Sequence, residues 1–369
     1  MTRRELLALA PFALRAAEAP TAPVAVARCR SYGNDELIRT LGTMFDQLGG
    51  LGRLVRNKTV TVKLNLTGSP ALKFQGRPLG VTHYSHPRMT GAFAHLLHKA
   101  GARRIRFVES CWATAGPLEE YLLDSGWNVR SLSSVAPNIE YENTNALGTT
   151  RRYSRLKVPY GGYIFPAFDL NHAFEDTDVF VSMAKLKNHA TCGVTLAMKN
   201  CFGNTPASIY GDDAGEHEPN ESPEKGRVDT CHLGKRQPAR SAPSELDPAS
   251  SREPGHRMPR ITVDIAAARP IDLSLIDGIE TVTGGEGPWI RGLKVVSPGL
   301  LIAGTNPVTA DAIATALMGY DPRAPKGVRP FDECDNTLLL AEAAGLGTAD
   351  PARIEVRGIP VAEAVYRFG

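Results

Sequence analysis

The sequence has no run of 18 apolar residues, so it offers no membrane-spanning helix. It has no C-x-x-C either. Its six cysteines, Cys29, Cys111, Cys192, Cys201, Cys231 and Cys334, are widely spaced. That spacing argues against an iron–sulfur ferredoxin module and a zinc knuckle, and it specifies no disulfide pairing. An excess of either charge is lacking. Against 42 Lys and Arg stand 39 Asp and Glu, a net charge of +3. Without a basic stripe carrying interleaved aromatics, nucleic acid is not an expected partner. The Gly-rich stretch 284–288 matches neither the Rossmann G-x-G-x-x-G nor a P-loop, and no internal repeat is evident.

What remains is ordinary globular composition, 42% hydrophobic and 22% charged over 369 residues, enough for one large core or two modest ones. At the start, Arg3 and Arg4 precede a short apolar run, and Ala17-Glu18-Ala19 offers a small-x-small cleavage site. Residues 1–19 therefore read as a twin-arginine export signal, with a frayed amphipathic helix as the alternative. The signal reading makes the twin-arginine export machinery a partner. It places a mature chain, from about Pro20, in the periplasm or outside the cell. That route carries folded proteins, which favours a preloaded metal or organic cofactor.

Strand and helix signals then alternate. Apolar runs at 24–29, 59–64, 105–108, 179–181, 273–276 and 295–303 predict strands. Helical spacing predicts helices over 34–51, capped by Asn34, and over 87–100, 117–125, 308–318 and 338–344, with another starting near Ile261. The expected fold is α/β: a mostly parallel sheet, helices on both faces, and a ligand cleft at the strand ends. Between 211 and 259 periodicity collapses into Pro, Glu, Ser, Gly and Arg, the mark of a solvated insertion or a mobile lid.

Chemistry-bearing residues gather after the strands. Lys63 and Asn65 close the second strand and suit an anionic oxygen. His83 and His86 lie just before a helix, where Ser85 or His86 can cap it and free N–H groups favour anions; both histidines are also candidate metal ligands. Glu109 follows the third strand as a candidate base or cation ligand. The densest cluster follows 179–181: Lys185, Lys187, Asn188, His189, Cys192, Lys199, Asn200 and Cys201. A lysine in a partly desolvated pocket has a lowered pKa and can act as base, nucleophile or phosphate anchor. Asp277 ends a buried run, and Gly285, Glu286 and Gly287 follow in a turn whose glycines let backbone approach a ligand. Asp311 falls in a helix's first turn, where it favours the dipole.

Several of these pieces resemble the family called domain of unknown function 362. They are Val62-Lys63-Leu64-Asn65-Leu66, Thr82 with His86-Pro87, Ala184 to His189, Lys199-Asn200-Cys201-Phe202-Gly203, Ile276-Asp277-Gly278-Ile279, Gly285-Glu286-Gly287-Pro288, Gly304 to Ala312 and Leu317 to Pro322. The resemblance implies an α/β domain over most of 24–358. Some members carry ferredoxin-type cysteines, which this chain lacks. A fainter resemblance is to the nickel-pincer lactate racemase group. It implies Lys199 as cofactor tether, His189 for acid–base work and His217 on the metal. The Gly-rich run between histidine and lysine is absent here, and Glu109 stands where that group suggests a histidine.

Two functions follow as expectations. One is an exported cofactor- or metal-dependent enzyme, of redox or isomerase type, acting on an anionic small molecule. Its catalytic residues would be Lys187, His189 and Lys199. A metal ion or phosphate-bearing cofactor would be held by Lys63, Asn65, His86, Asn200, Gly285 and Gly287, with Glu109, His217, Asp277 and Glu286 as metal ligands. The other is a non-catalytic binder of an anionic small molecule or metal that uses the same residues.

Overall fold

The computed structural model describes residues 18–369, so nearly all of the expected export signal lies outside the described residues. Eight strands form one sheet: β1 (Val24–Arg28), β2 (Thr59–Lys63), β3 (Arg104–Glu109), β4 (Ile139–Asn143), β5 (Val179–Lys185), β6 (Leu273–Gly278), β7 (Leu300–Gly304) and β8 (Val356–Gly358). Their spatial order is β8-β1-β7-β6-β5-β2-β3-β4. Every neighbouring pair is parallel except those made by β7, which opposes both β1 and β6. The sheet is therefore mostly parallel, as the sequence predicts. Among the described residues no helix is long and apolar enough to cross a membrane.

Period two along β5 sorts its side chains to two layers. Val179, Val181 and Met183 join Leu37, Leu41, Phe93 and Leu97 of α1 (Asn34–Gln47) and α2 (Pro87–Lys99). Ala184 and Phe180 face the opposite layer, built from α3 (Leu196–Asn200), α4 (Pro254–Ala268), α5 (Pro307–Leu317) and α6 (Thr337–Ala343). With both faces covered, β5 is buried throughout, which is why it reads as a continuous apolar run.

Three local expectations are corrected. Gly33, not Asn34, occupies the N-cap of α1, and no side chain caps it. The strand expected over 295–303 is two. Lys294–Val296 pairs with Thr281–Thr283, and Gly299, at φ 66°, turns the chain into β7. Helix α4 starts at Pro254, ahead of Ile261, and runs through Pro259. Pro259 has no N–H to give the Gly255 carbonyl. That carbonyl instead accepts the Asp335 N–H at 2.9 Å, so the interior proline leaves no orphan.

The segment 211–259 has little regular structure and is tied down by polar side chains. Arg257 and Glu245 form a fully buried pair at 2.5 Å. The Asp212 carboxylate accepts the N–H groups of Val228, Asp229 and Thr230 at 2.8–3.1 Å, holding the single turn Val228–His232.

Candidate functional site at the strand ends

Parallel strands bring their carboxyl ends to one edge, and charged side chains collect there. Lys63, the last residue of β2, meets Glu109, the last of β3, at 2.6 Å with both side chains buried. Lys63 also donates to the Leu64 carbonyl at 2.7 Å, and Glu109 accepts the Leu66 N–H at 2.8 Å. Gly203 closes over this pair. A Cβ there would fall 2.6 Å from Lys63 Nζ and 2.7 Å from Glu109 Oε1, so any side chain at 203 would have to displace the ion pair.

Beside it, Lys185 of β5 meets Asp277 of β6 at 2.9 Å, both fully buried. The Lys185 ammonium also donates to the Glu280 carbonyl at 2.7 Å. The Tyr32 hydroxyl donates to Asp277, and the His86 ring stacks on Tyr32 at 3.5 Å. His86 caps α2, its Nδ1 accepting the Arg88 N–H. Burial pushes the Lys185 pKa down, and Asp277 only partly restores it.

The third group follows β5. Lys187 is fully buried and donates only to two carbonyls, His83 at 2.8 Å and Glu286 at 3.0 Å. Burial brings its pKa to about 7; Glu286 opposes that fall and neighbouring lysines add to it. Burial opposes ionisation of Glu286. The Ala190 N–H at 3.0 Å and the Trp289 indole N–H at 2.9 Å favour the carboxylate and hold its pKa below the ordinary value. Burial and the Lys199 charge hold His189 neutral. Its Nδ1 accepts the Thr191 N–H at 3.1 Å, so the neutral ring carries its proton on Nε2.

Lys199 comes from α3, whose start is strained. Leu196 sits at φ 45°, a region that costs a non-glycine residue about 1–3 kcal/mol. Asp311 of α5 holds it there, its two carboxylate oxygens accepting the Ala197 and Met198 N–H groups at 2.8 and 2.9 Å. Asp311 thus caps a neighbouring helix rather than favouring the dipole of its own, and burial raises its pKa to about 7. The Lys199 ammonium lies 4.4 Å from the centre of the Phe202 ring and has no hydrogen-bond acceptor among the described residues. Burial lowers its pKa.

The structure therefore brings together Lys63, Glu109, Asn200, Lys187, His189, Lys199 and Glu286, with Asn65 beside them. Asn200 donates to Ser182 Oγ at 3.0 Å, and Asn65 donates to Thr67 Oγ1 at 2.8 Å. The four candidate metal ligands are not gathered. Glu109 pairs with Lys63, Asp277 with Lys185, Glu286 with Trp289 and Ala190, and His217 is exposed on 211–259. Among the described residues no three His, Cys, Asp or Glu side chains are placed to hold a metal. The space above Gly285 holds Ile290 and that above Gly287 holds Trp289, so these glycines admit side chains of their own turn.

Two residues of 211–259 reach Phe202, Arg227 at 5.1 Å and His232 edge-on at 5.5 Å. His232, with His217 and Cys231, is a residue by which the sequence allows a ligand to clamp this segment over the site. Sequence reasoning missed Arg227, whose polar context conceals it.

A family model called "Domain of unknown function (DUF362)" matches residues 60–316. The chain belongs to this family. Both buried pairs and the Lys187–Lys199 cluster fall inside the DUF362 match. A relative, the thylakoid-associated protein sll1697 of Synechocystis sp., is 24% identical over 301 residues, 81% of this DUF362 chain and 75% of that protein. Two solved structures are more distant. A Thermotoga maritima protein shares 14% identity at a TM-score of 0.34, covering 73% of this chain and 56% of that one. The lactate racemase apoprotein from Thermoanaerobacterium thermosaccharolyticum shares 10% at 0.33, covering 76% and 55%. The DUF362 chain thus spans little more than half of either structure.

Proposed function

We propose that this protein is an enzyme of isomerase type that binds an anionic small molecule at the strand ends and moves a proton on it. One observation carries the reading: Lys199 is 92% buried as a residue, yet its ammonium has no hydrogen-bond acceptor among the described residues. Burying an uncompensated cation is costly, and a bound anion would compensate it. When Lys199 is deprotonated, its amine serves as the base. His189 presents Nε2–H, so it donates to an oxygen on which charge develops, and its low pKa keeps it neutral while it does so. Lys187, fixed by two carbonyls and fully buried, positions the His83 and Glu286 loops rather than touching ligand. The residues present do not fit the nickel arrangement, because His217 is exposed and no three His, Cys, Asp or Glu side chains among the described residues are placed to hold a metal; no step is assigned to a metal. Incubating the protein in D₂O with a panel of small hydroxy- and oxo-carboxylates tests the reading. We expect loss of a Cα proton signal that Lys199→Met abolishes; exchange that survives in Lys199→Met sinks it.

Stability gives an independent check. Removing a buried, unpartnered charge should stabilise, so Lys199→Met should gain about 0.5–2 kcal/mol in urea unfolding while losing activity. A destabilised Lys199→Met would mean that the ammonium has a partner in the fold.

We also propose that the protein works outside the cytoplasm, on the strength of Arg3-Arg4 ahead of an apolar run. Arg3→Lys with Arg4→Lys should leave it in the cytoplasmic fraction. Unchanged export of the double variant would refute the proposal.

A further inference from the structure

We infer that Arg227, delivered by the 211–259 segment, seats one oxyanion of the ligand, a phosphate or a carboxylate, beside Lys199. This rests on the reading of Lys199 given above. The guanidinium is anchored at one corner only. Nη1 donates to Ser110 Oγ and to the Thr205 carbonyl. Nε is buried with no partner, and Nη2 has none among the described residues. Nε and Nη2 form the edge of a guanidinium that engages a carboxylate or phosphate with two parallel hydrogen bonds. The fold holds this residue in place while leaving that edge unused.

Two further observations point the same way. Arg227 and Lys199 both lie against the Phe202 ring, at 5.1 and 4.4 Å from its centre, and beside burial the Arg227 charge disfavours the Lys199 ammonium. Neither forms an ion pair among the described residues. The Lys63 charge nearby is matched by Glu109, and the Asp212 carboxylate, the other acid near Arg227, is taken by three backbone N–H groups. The approach of Arg227 is itself constrained. A Cβ on Gly226 would strike the Trp112 ring at 2.5 Å, so the chain passes tightly under that indole before Arg227 turns inward.

The test is calorimetric titration of the full chain with inorganic phosphate and, separately, with malonate, with chloride holding ionic strength constant. We expect wild-type protein to bind at least one of them with a stoichiometry of one. Arg227→Gln should weaken that binding at least tenfold, and Arg227→Lys should weaken it too, because a lysine keeps the charge but not the two-point edge. Binding of phosphate alone assigns a phosphoryl group, of malonate alone a carboxylate, and of both the shared oxyanion chemistry; each supports the seat. No binding of either probe at millimolar concentration overturns it, as does equal binding by wild type and Arg227→Gln. A readout that needs no variant guards against misfolding: saturating probe should slow phenylglyoxal labelling of Arg227, followed by peptide mass. Labelling unaffected by the probe also overturns the seat. Failure of proton exchange alongside intact, Arg227-dependent binding would remove the catalytic reading and leave the seat standing.

Discussion

Lys185→Met should cost about 3–5 kcal/mol of stability, and adding Asp277→Leu should recover most of that loss. Lys185 and Asp277 end adjacent parallel strands, β5 and β6, in register with each other. Both are fully buried, and their side chains meet at 2.9 Å. Removing the lysine leaves a carboxylate with the Tyr32 hydroxyl and the Ile279 N–H as its remaining donors. Those bonds are too few to replace hydration of a charge in a dry site. Replacing both charges with apolar side chains removes the desolvation cost together with the attraction, which is why the double variant should recover. Urea unfolding of the wild type, both single variants and the double completes a mutant cycle. A double variant as unstable as Lys185→Met would mean that the shape of the Tyr32–Asp277–Lys185 network, rather than its charge balance, holds the two strand ends.

Both lysines of the buried pairs were legible from sequence for one reason. A lysine at the end of a β-branched run has its backbone fixed by the sheet, and its side chain must find a partner at the strand end. Lys63 and Lys185 have that context, and so do the acids that answer them, Glu109 and Asp277. What could not be read was which acid meets which lysine, because pairing depends on strand order, with β2 beside β3 and β5 beside β6. Grouping Glu109 and Asp277 as ligands of one metal assumed a convergence that this order denies. Each is committed to its own neighbour.

Edge structure was harder to read. The strand β4 alternates apolar and acidic residues in Ile139-Glu140-Tyr141-Glu142-Asn143 and is only half buried, so it lacks the continuous apolar run that marks the central strands. Its acids serve Arg106 of β3, with Glu140 at 3.3 Å. The hairpin of Ser154–Lys157 with Ala167–Leu170 went unread for a similar reason, since its first strand alternates and is half exposed. The 211–259 segment hid most. Composition predicts whether a stretch has enough apolar area to bury, and here it does not. It says nothing about charges that find partners across the fold, such as Arg257 with Glu245 or Arg227 with Ser110. His217 and His232 differ by nothing in their local sequence that marks one as exposed and the other as lying against Phe202.

Stability should fall as pH drops from 6.5 toward 4, and four histidines with lowered pKa values are the cause, His83 fully buried and His86, His189 and His232 half-buried. Burial, with Lys187 and Lys185 nearby, holds His83 down to about 2. Burial and Lys185 hold His86 at about 3, and burial and Lys199 hold His232 at about 4. His189 also lies well below its ordinary value. In the unfolded chain each returns to about 6.5. The sign follows directly. These groups contribute stability that is present above pH 6.5 and is lost as pH falls toward the folded values, because the unfolded state takes up protons that the folded state refuses. For the fully buried His83 the loss is about 2–3 kcal/mol by pH 4.5, at roughly 1.4 kcal/mol per unit. Asp311 works in the opposite direction. Its pKa is raised to about 7, so its contribution is greatest at low pH and declines as pH rises through 7. Four histidines against one aspartate leave a net loss on the acid side. Urea unfolding at pH 7.5, 6.0, 5.0 and 4.5 should show the decline, and His83→Gln should reduce its slope by about one proton. In Asp311→Asn the opposing contribution disappears, so the gap in stability between wild type and this variant should narrow as pH rises from 5 to 8. Stability that stays level from pH 7.5 to 4.5 would mean that these imidazoles reach solvent or an acid in the folded protein, and the neutral, proton-donating His189 of the proposed function would then be wrong.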